Sequence, residues 1–224
     1  ETIHPLPREN TFRRQNGLAD SDFVALHAGN MGLKQGLQTI VEAARMSNSG
    51  IKWMLVGDGE ERQALEAMAG EYALTGIRFL PLQPQKVFPF VLAAADVLLL
   101  VQRATVTDSV IPSKLLTYMA SGRPIIASVH NQSETARRIR EADSGLIVPP
   151  EDPAALVQAI DQLRQEPAEA RRLGVNGRAY VEENFAKDKV LSRYDDFFRM
   201  VFPLFELHGG VNGKNRTYAN STGS

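Results

Sequence analysis

The chain has 224 residues, of which 43% are apolar and 23% are charged, and its formal net charge is −1. That length allows one large domain or two small ones, and the near-neutral charge argues against broad nucleic-acid binding, which needs a strong basic excess. The absence of cysteine excludes a disulfide scaffold, thiol catalysis and cysteine-bound zinc, and it fits a reducing compartment.

Short apolar runs alternate with amphipathic segments along the chain. The runs predict strands at residues 23–29, 51–57, 77–82, 96–102, 123–128 and 145–149. The other segments predict helices at residues 34–47, 58–74, 84–95, 113–121, 133–142, from 152 onward, 167–184 and 186–202. Because continuously apolar strands separated by crossovers are typical of buried parallel sheets, we predict an α/β fold. It is a Rossmann-like, doubly wound parallel sheet of about six strands, which binds ligands at the carboxyl ends of its strands.

The longest apolar run, "VFPFVLAAADVLLLV" at residues 87–101, raises the question of a membrane span. It is short for a span and is interrupted by Pro89 and Asp96. We therefore interpret the run as a buried helix followed by a buried strand.

The turn after the first predicted strand is "GNMGLKQG", residues 29–36. Gly29 and Gly32 let the backbone approach a ligand closely, Asn30 lies between them, and Lys34 stands at the start of the next predicted helix. Backbone N–H groups and a lysine at a helix start are typical of a phosphate site. The spacing is not the dinucleotide fingerprint, and a turn in which the glycines serve only packing is the competing interpretation.

The next two turns are weaker candidates. Gly57 ends the second strand and could offer a surface for a flat group, but the acidic residues in 58–61 would repel phosphate and are more typical of a helix N-terminus. After the third strand, the backbone at Leu80 and Pro81 could meet the edge of a base.

The loop after the fourth strand, "VQRATVTDSVIPSK" at residues 101–114, is long and polar, and such loops at a ligand edge are commonly functional. Its candidate residues include Asp108 and Ser109. Ser113 as a helix N-cap would expose the amides of Lys114 and Leu115, and Lys114 would add a cation there, where the helix dipole disfavours one.

Lys34 and Lys114 therefore stand at two predicted helix starts on the same edge of the sheet. For either lysine alone, a solvated side chain is the ordinary interpretation. Together they suit a diphosphate, which carries two negative charges.

Histidine and metal chemistry receive little support. His27 lies inside the first strand, where a buried and hydrogen-bonded residue is more typical than a base, and His130 follows the fifth strand at the ligand edge. No histidine or carboxylate spacing indicates a metal. We therefore expect neither a metal nor a cofactor.

Several motifs in this order resemble a known family. They are "HAGNMGLKQGLQTIVEAA", "WMLVGDGEE", "IRFLPLQP", "AADVLLLV", "PSKLLTYMASGRPIIAS", "SGLIVPPEDPAALVQAI" and "NGRAYVEENF". Over residues 20–200 the chain resembles the C-terminal, donor-binding domain of GT-B glycosyltransferases of family 4 (group 1). The segment "PSKLLTYMASGRPIIAS" is most similar to bacterial enzymes that build surface polysaccharides.

The resemblance implies retaining transfer of a sugar from a nucleotide-diphosphate donor, linked to UDP or GDP, to a polysaccharide or lipid-linked acceptor without a metal. It implies that Lys34 contacts the diphosphate and that Asn30 stands where the family has an arginine. Lys114 would then replace the positive charge of that arginine. The family also has two glutamates, one toward the donor sugar and one on the ribose. Ser109 and Thr117 stand at these positions, and Asp108 is one residue out of register.

The resemblance also implies a division of the chain. Residues 1–20 would connect to a missing N-terminal acceptor domain, residues 21–185 would bind the nucleotide sugar, residues 186–207 would form a crossing helix, and residues 208–224 a mobile tail. No methionine opens the chain, so we expect the natural protein to extend further and this portion to be inactive alone. The expected location is cytoplasmic, peripheral to the inner membrane face.

Three alternatives remain open at this point. A GT-B nucleotide-sugar 2-epimerase would share the donor half. A nicotinamide-dependent dehydrogenase would need a G-x-G-x-x-G loop, which is absent. A non-catalytic nucleotide-binding domain would explain the absence of both glutamates.

Overall fold

The computed structural model describes residues 3–47, 50–106 and 113–201. Within them, six strands form one parallel sheet in the order β3-β2-β1-β4-β5-β6. The strands are β1 (Phe23–Ala28), β2 (Ile51–Val56), β3 (Ile77–Leu80), β4 (Val97–Val101), β5 (Ile125–Ser128) and β6 (Gly145–Val148). The predicted doubly wound α/β class is confirmed. The strand order reverses between β1 and β4, and this switch point is where such sheets bind ligands.

A helix separates each strand from the next along the chain, and further helices precede and follow the sheet. They are α1 (Thr11–Gln15), α2 (Gln38–Met46), α3 (Arg62–Glu71), α4 (Phe88–Ala93), α5 (Ser113–Ala120), α6 (Glu134–Ala142), α7 (Pro153–Gln165), α8 (Pro167–Phe185) and α9 (Lys187–Val201). The chain divides into a first compact unit that ends at Glu183 and a second that begins at Asn184. Helix α9 belongs to the second unit, and the rest of the predicted segment 186–207 and the predicted tail 208–224 lie outside the described residues.

The first unit has a hydrophobic core on each face of the sheet. Along β4, Leu98 and Leu100 pack into one core, whereas Val97, Leu99 and Val101 pack into the other. All five side chains are almost fully buried. The alternation explains why the strands are continuously apolar, since a parallel sheet that is covered on both faces has no solvent side.

The predicted connecting segment, residues 1–20, contains structure of its own. Asn10 caps helix α1 by accepting hydrogen bonds from the backbone amides of Phe12 and Arg13. Phe12 is 2% exposed and belongs to the same core as β1 and β4. From residue 3 onward this segment is therefore part of the packed first unit.

A cluster of charged residues attaches this segment to the amino end of the sheet. The buried Arg13 guanidinium donates hydrogen bonds to the carbonyl oxygens of Ala94, Ala19 and Asp22. The carboxylate of Asp96 lies 3.7 Å from Arg13 Nη1 and also accepts a hydrogen bond from Arg8. Asp96 therefore supplies a negative charge that compensates a buried cation.

Replacing Asp96 by alanine is expected to lower the free energy of unfolding by about 3–5 kcal/mol, because the buried Arg13 would lose its counter-charge. The Asp96 carboxylate also accepts a hydrogen bond from the amide of Val24, which would be lost as well. Urea denaturation measures the change. As a control, Glu182→Ala removes an ion pair with Arg178, and the Glu182 side chain is 58% exposed. We expect this variant to change the free energy of unfolding by no more than about 0.5 kcal/mol. Similar values for the two variants would contradict this role of Asp96.

Candidate functional site

A cleft of about 560 Å³ opens at the switch point, at the carboxyl ends of β1 and β4. Its lining residues are Ala28, Gly29, Asn30, Lys34, Gln35, Phe88, Leu100, Gln102, Val106, Ser113, Lys114, Thr117 and Tyr118. Six residues predicted from the sequence are thus brought together, namely Gly29, Asn30, Lys34, Ser113, Lys114 and Thr117. Their roles in binding stay predictions.

Lys114 is held within the cleft. It is the second residue of α5, and its side chain crosses Gly29, where an added Cβ atom would lie 3.0 Å from Lys114 Cε and 3.2 Å from Nζ. Its ammonium lies 3.2 Å from Nε2 of His27. Burial lowers the pKa of Lys114 to about 8, because desolvation disfavours the ammonium form. The lysine is therefore a partly buried cation, and the competing interpretation of a solvated side chain is wrong.

His27 is a buried partner of this lysine. The ring is fully buried, and its Nδ1 lies 3.2 Å from the carbonyl oxygen of Leu99 on the neighbouring strand β4. A carbonyl only accepts and an ammonium only donates, so the Nδ1–H donates to Leu99 and the Nε2 lone pair accepts from Lys114. Burial and then the charge of Lys114 lower the pKa of His27 to about 3. The prediction of a hydrogen-bonded core histidine is confirmed, and the ring is neutral near pH 7.

Lys34 lies in a different setting from the one predicted. Leu33–Gln35 form a single 3-10 turn, which ends at Gly36 with φ of +61°, and helix α2 begins only at Gln38. The prediction that Lys34 starts the long helix is therefore wrong, since the left-handed glycine separates the two elements. Lys34 is exposed at the edge of the cleft. Gly32 precedes the turn and does not line the cleft.

The acidic residues after β2 are arranged differently from the prediction as well. Helix α3 begins at Arg62, and its first turn contains no acidic residue. Glu61 precedes the helix, is 5% exposed, and accepts hydrogen bonds from Gln38 and from Arg103. The backbone amide of Arg103 donates to the carbonyl of Lys34. This ion pair, between the buried Glu61 and the partly exposed Arg103, joins the segments that follow β1, β2 and β4. Sequence reasoning missed it because no local spacing relates the partners.

Four further predicted residues do not line the cleft. An added Cβ atom on Gly57 would lie 1.9 Å from the carbonyl oxygen of Gly29, so Gly57 permits close packing of two loops instead of facing a ligand. The carbonyl of Leu80 accepts a hydrogen bond from the amide of Gly57. Pro81 is exposed beyond β3, and Leu115 is fully buried in the core. His130 is exposed and is also not among the lining residues.

The start of α5 differs from the predicted cap. Ser113 is already helical, so it does not occupy the predicted N-cap position. Residues 107–112 lie outside the described part of the chain. Asp108 and Ser109 lie in that same segment. The hydroxyl of Thr117 donates to the carbonyl of Ser113, one turn earlier in the helix.

Tyr118 fixes α5 against β1, and sequence reasoning missed it. Its buried hydroxyl donates to the carbonyl of Ala28 and accepts from the amide of the same residue. Burial raises the pKa of Tyr118, so the phenol stays neutral. This double hydrogen bond holds α5, and with it Lys114 one turn before Tyr118, beside the end of β1.

In the described ranges, no three histidine, aspartate or glutamate side chains come together as a possible metal site. A search of the same ranges finds no helix with the length and apolar character needed to cross a membrane.

Comparisons with known proteins agree with this architecture. Putative colanic acid biosynthesis glycosyl transferase WcaI of Escherichia coli is 32% identical over 188 residues, which are 83% of this chain and 45% of that protein. Probable glycosyltransferase WbjE of Pseudomonas aeruginosa is 29% identical, over 86% of this chain and 48% of that protein. The chain spans about half the length of the curated relatives it matches.

Solved structures share the fold at low identity. Anabaena HepE, in complex with UDP-glucose, has a TM-score of 0.75 and 18% identity, with 88% of this chain and 54% of HepE covered. The C-terminal domain of the group 1 glycosyl transferase LpcC from Francisella tularensis has a TM-score of 0.67 and 18% identity, with 83% and 97% covered. At such identities the likeness establishes the fold alone. The family model described as "Glycosyl transferases group 1" matches residues 8–180. The resemblance to GT-B glycosyltransferases is confirmed, and the chain belongs to the group 1 glycosyl transferase family.

Proposed function

We propose that this chain is the donor-binding part of a retaining glycosyltransferase and that the cleft at the switch point binds a nucleotide-diphosphate sugar. The observation that carries the proposal is the convergence of Lys34 and Lys114 on that cleft. The two cations come from different strand ends, and together they match the two negative charges of a diphosphate. The proposed reaction passes the sugar to a polysaccharide or lipid-linked acceptor in surface polysaccharide synthesis.

The two lysines are expected to contribute unequally. Lys114 is partly withdrawn from water, and a hydrogen bond from a charged donor in such a place contributes about 1.5–3 kcal/mol. Lys34 is exposed, and an interaction between exposed charges contributes about 0–1 kcal/mol because water and salt screen it. Lys114 is therefore the principal diphosphate contact, and Lys34 assists at the rim.

The relatives support the substrate class and the pathway. WcaI is named for colanic acid biosynthesis, and LpsE of Rhizobium meliloti, 29% identical over 76% of this chain, for lipopolysaccharide core biosynthesis. HepE, which shares the fold, was solved with UDP-glucose. Because GT-B enzymes place the acceptor on a second Rossmann-like half, we propose that transfer needs that half and that the 224 residues bind the donor without turning it over.

A non-catalytic nucleotide-binding domain is the second candidate. Thr117 occupies the position of the glutamate that the family uses on the ribose, and its hydroxyl donates to the carbonyl of Ser113 in its own helix. Loss of both family glutamates would remove contacts to the sugar and ribose and leave those to the diphosphate.

Isothermal titration calorimetry of the chain with UDP-glucose, GDP-mannose, ADP-glucose and NAD tests whether the cleft binds a nucleotide sugar. We expect one nucleotide sugar to bind and the Lys34→Ala variant to bind it about 3- to 5-fold more weakly, in keeping with an exposed charge. Lys52→Ala is the matched control, since Lys52 lies at the amino end of β2 and its ammonium is 4.0 Å from Asp22. Binding of no compound, or of NAD alone, would contradict the proposal. Sugar transfer by the chain alone would contradict the need for a second half.

A further inference from the structure

We propose that His27 is a positioning residue for the donor diphosphate: its neutral ring holds the Lys114 ammonium at the floor of the cleft without cancelling the charge. This inference rests on the proposed function, because it concerns the same cleft. It assigns a role to a residue that the sequence presents only as part of an apolar strand.

The histidine ring is fixed on both sides of its contact with the lysine. Nε2 of His27 lies 3.2 Å from Nζ of Lys114, and Nδ1 lies 3.2 Å from the carbonyl oxygen of Leu99. The ring is thus held by the backbone of β4, a central strand, and cannot turn without breaking that hydrogen bond. A lysine side chain has four flexible carbons and loses much rotational freedom when it is fixed, so a rigid acceptor keeps it in one place before a ligand arrives.

The histidine that accepts this hydrogen bond is uncharged. A carboxylate in this position would also hold the ammonium, but it would neutralise the positive charge that a diphosphate needs. An uncharged imidazole accepts one hydrogen bond and leaves the net charge of Lys114 unchanged. An ammonium has three N–H donors, and in the described part of the chain the one hydrogen bond found for Lys114 is to His27. As far as the described residues extend, the other two donors can therefore face phosphate oxygens.

The lysine reaches the histidine through the space beside Gly29. The Lys114 side chain lies over Gly29, where any Cβ atom would come within 3.0 Å of Cε. Gly29 has φ of +129° and donates its amide to the carbonyl of Val56. A side chain at position 29 would press on the lysine, and the positive φ favours glycine there, so the three residues form one unit that spans β1 and α5.

The titration of Lys114 provides a measurement that needs no ligand. The other titratable groups around it among the described residues are His27, Tyr118 and the exposed Lys34. His27 and Tyr118 are neutral near pH 7, because burial lowers the pKa of His27 and raises that of Tyr118. A carbon-13 NMR signal from the Lys114 Cε group should therefore report its own titration, with a midpoint near 8.

The test is a pair of substitutions in a double-mutant cycle. His27→Leu removes the acceptor and keeps an apolar side chain in the buried strand. We expect whichever of UDP-glucose, GDP-mannose and ADP-glucose wild type binds most tightly to bind about 10-fold more weakly, as loss of a positioned charge contact implies. In a Lys114→Ala background the same substitution should have no further effect, because it acts only through the lysine. His27→Gln retains an oxygen acceptor and should recover most of the affinity.

Two results would overturn the inference. One is a loss of affinity in His27→Leu that persists in full without Lys114, which would mean a general structural role. The other is an unchanged Lys114 midpoint in His27→Leu, where we expect a decrease because the lost acceptor favoured the charged form. An increase toward 10.5 would instead show that the ammonium had left the cleft, which supports the inference. Val24→Ala, at the far end of β1, controls for destabilisation and should leave the midpoint unchanged.

The design separates this inference from the proposed function. If no nucleotide sugar binds, the proposed function fails, but the Lys114 titration still reports whether His27 holds the lysine. If donor binds and the lysine midpoint does not respond to His27→Leu, the inference alone fails.

Discussion

Removal of the Lys114 charge is expected to weaken nucleotide-sugar binding by about 10- to 100-fold, because a partly buried ammonium contributes about 1.5–3 kcal/mol to an anion contact. Lys114→Met is the more informative variant, since methionine keeps an apolar chain over Gly29 and removes only the charge. Lys114→Ala should give a similar loss. The measurement is the dissociation constant for the nucleotide sugar that wild type binds most tightly.

The pH dependence of binding gives the same prediction a second check. The ammonium is charged below its pKa of about 8 and neutral above it, so wild-type affinity should decline as the pH rises through that value. Lys114→Met should show no such decline. A wild-type affinity that stays constant from pH 7 to 9.5 would contradict the role of Lys114, as would an unchanged dissociation constant in the Met variant at pH 7.

Stability should respond in the opposite direction from binding. Folding lowers the pKa of Lys114 from 10.5 to about 8, so the unfolded chain holds its proton more tightly between these values. The free energy of unfolding therefore rises with pH across this window on account of Lys114. At pH 7 the buried charge is a net cost, and Lys114→Met should unfold at a urea concentration at least as high as wild type.

The sheet could be predicted from the sequence because its physical basis is local. Strands that are buried on both faces must be continuously apolar, and the predicted range 51–57 differs from the observed β2, Ile51–Val56, by one residue. Helix starts were less predictable. Apolar spacing extends α2 back to Lys34, but Gly36 adopts the left-handed region, and spacing contains no information about φ.

The candidate site was only partly predictable for a different reason. Lys34 and Lys114 could be assigned to one edge because parallel strands all end there. The partner of Lys114 could not be assigned, since His27 is 87 residues away and lies in an apolar run. The partner of Glu61 could not be predicted either. Its position beside a glycine turn is typical of a solvated helix start, but the side chain is buried and forms an ion pair with Arg103. Such pairs follow from tertiary packing, which one sequence does not display.

A second large effect is expected at Gly57, where alanine should lower the free energy of unfolding by about 3 kcal/mol or more. Two costs add together. The residue has φ of +151°, a conformation that strains any residue with a Cβ atom, at about 1–3 kcal/mol. The new Cβ atom would also lie 1.9 Å from the carbonyl oxygen of Gly29, and such overpacking costs about 1–3 kcal/mol. Urea denaturation measures the sum.

Gly70→Ala is the matched control for Gly57→Ala. Gly70 lies in helix α3, and an added Cβ atom there would meet nothing within 4 Å. The same change should therefore stabilise the protein by about 0.4–1 kcal/mol, because alanine favours the helix and restricts the unfolded chain. Equal effects at the two glycines would contradict the close packing at Gly57.

The Gly57 variant also connects packing to the cleft. Its Cβ atom can be accommodated only if Gly29 moves, and the side chain of Lys114 lies against Gly29 on its way to His27. Under conditions where Gly57→Ala remains folded, we expect weaker nucleotide-sugar binding and a shifted titration of Lys114, although residue 57 does not line the cleft. A variant with reduced stability but wild-type affinity and an unchanged titration midpoint of Lys114 would contradict this coupling. It would show that the position of the lysine does not depend on the contact between Gly57 and Gly29. The expected coupling follows from the structure, in which the turn after β2 supports the turn after β1, and that turn supports the lysine.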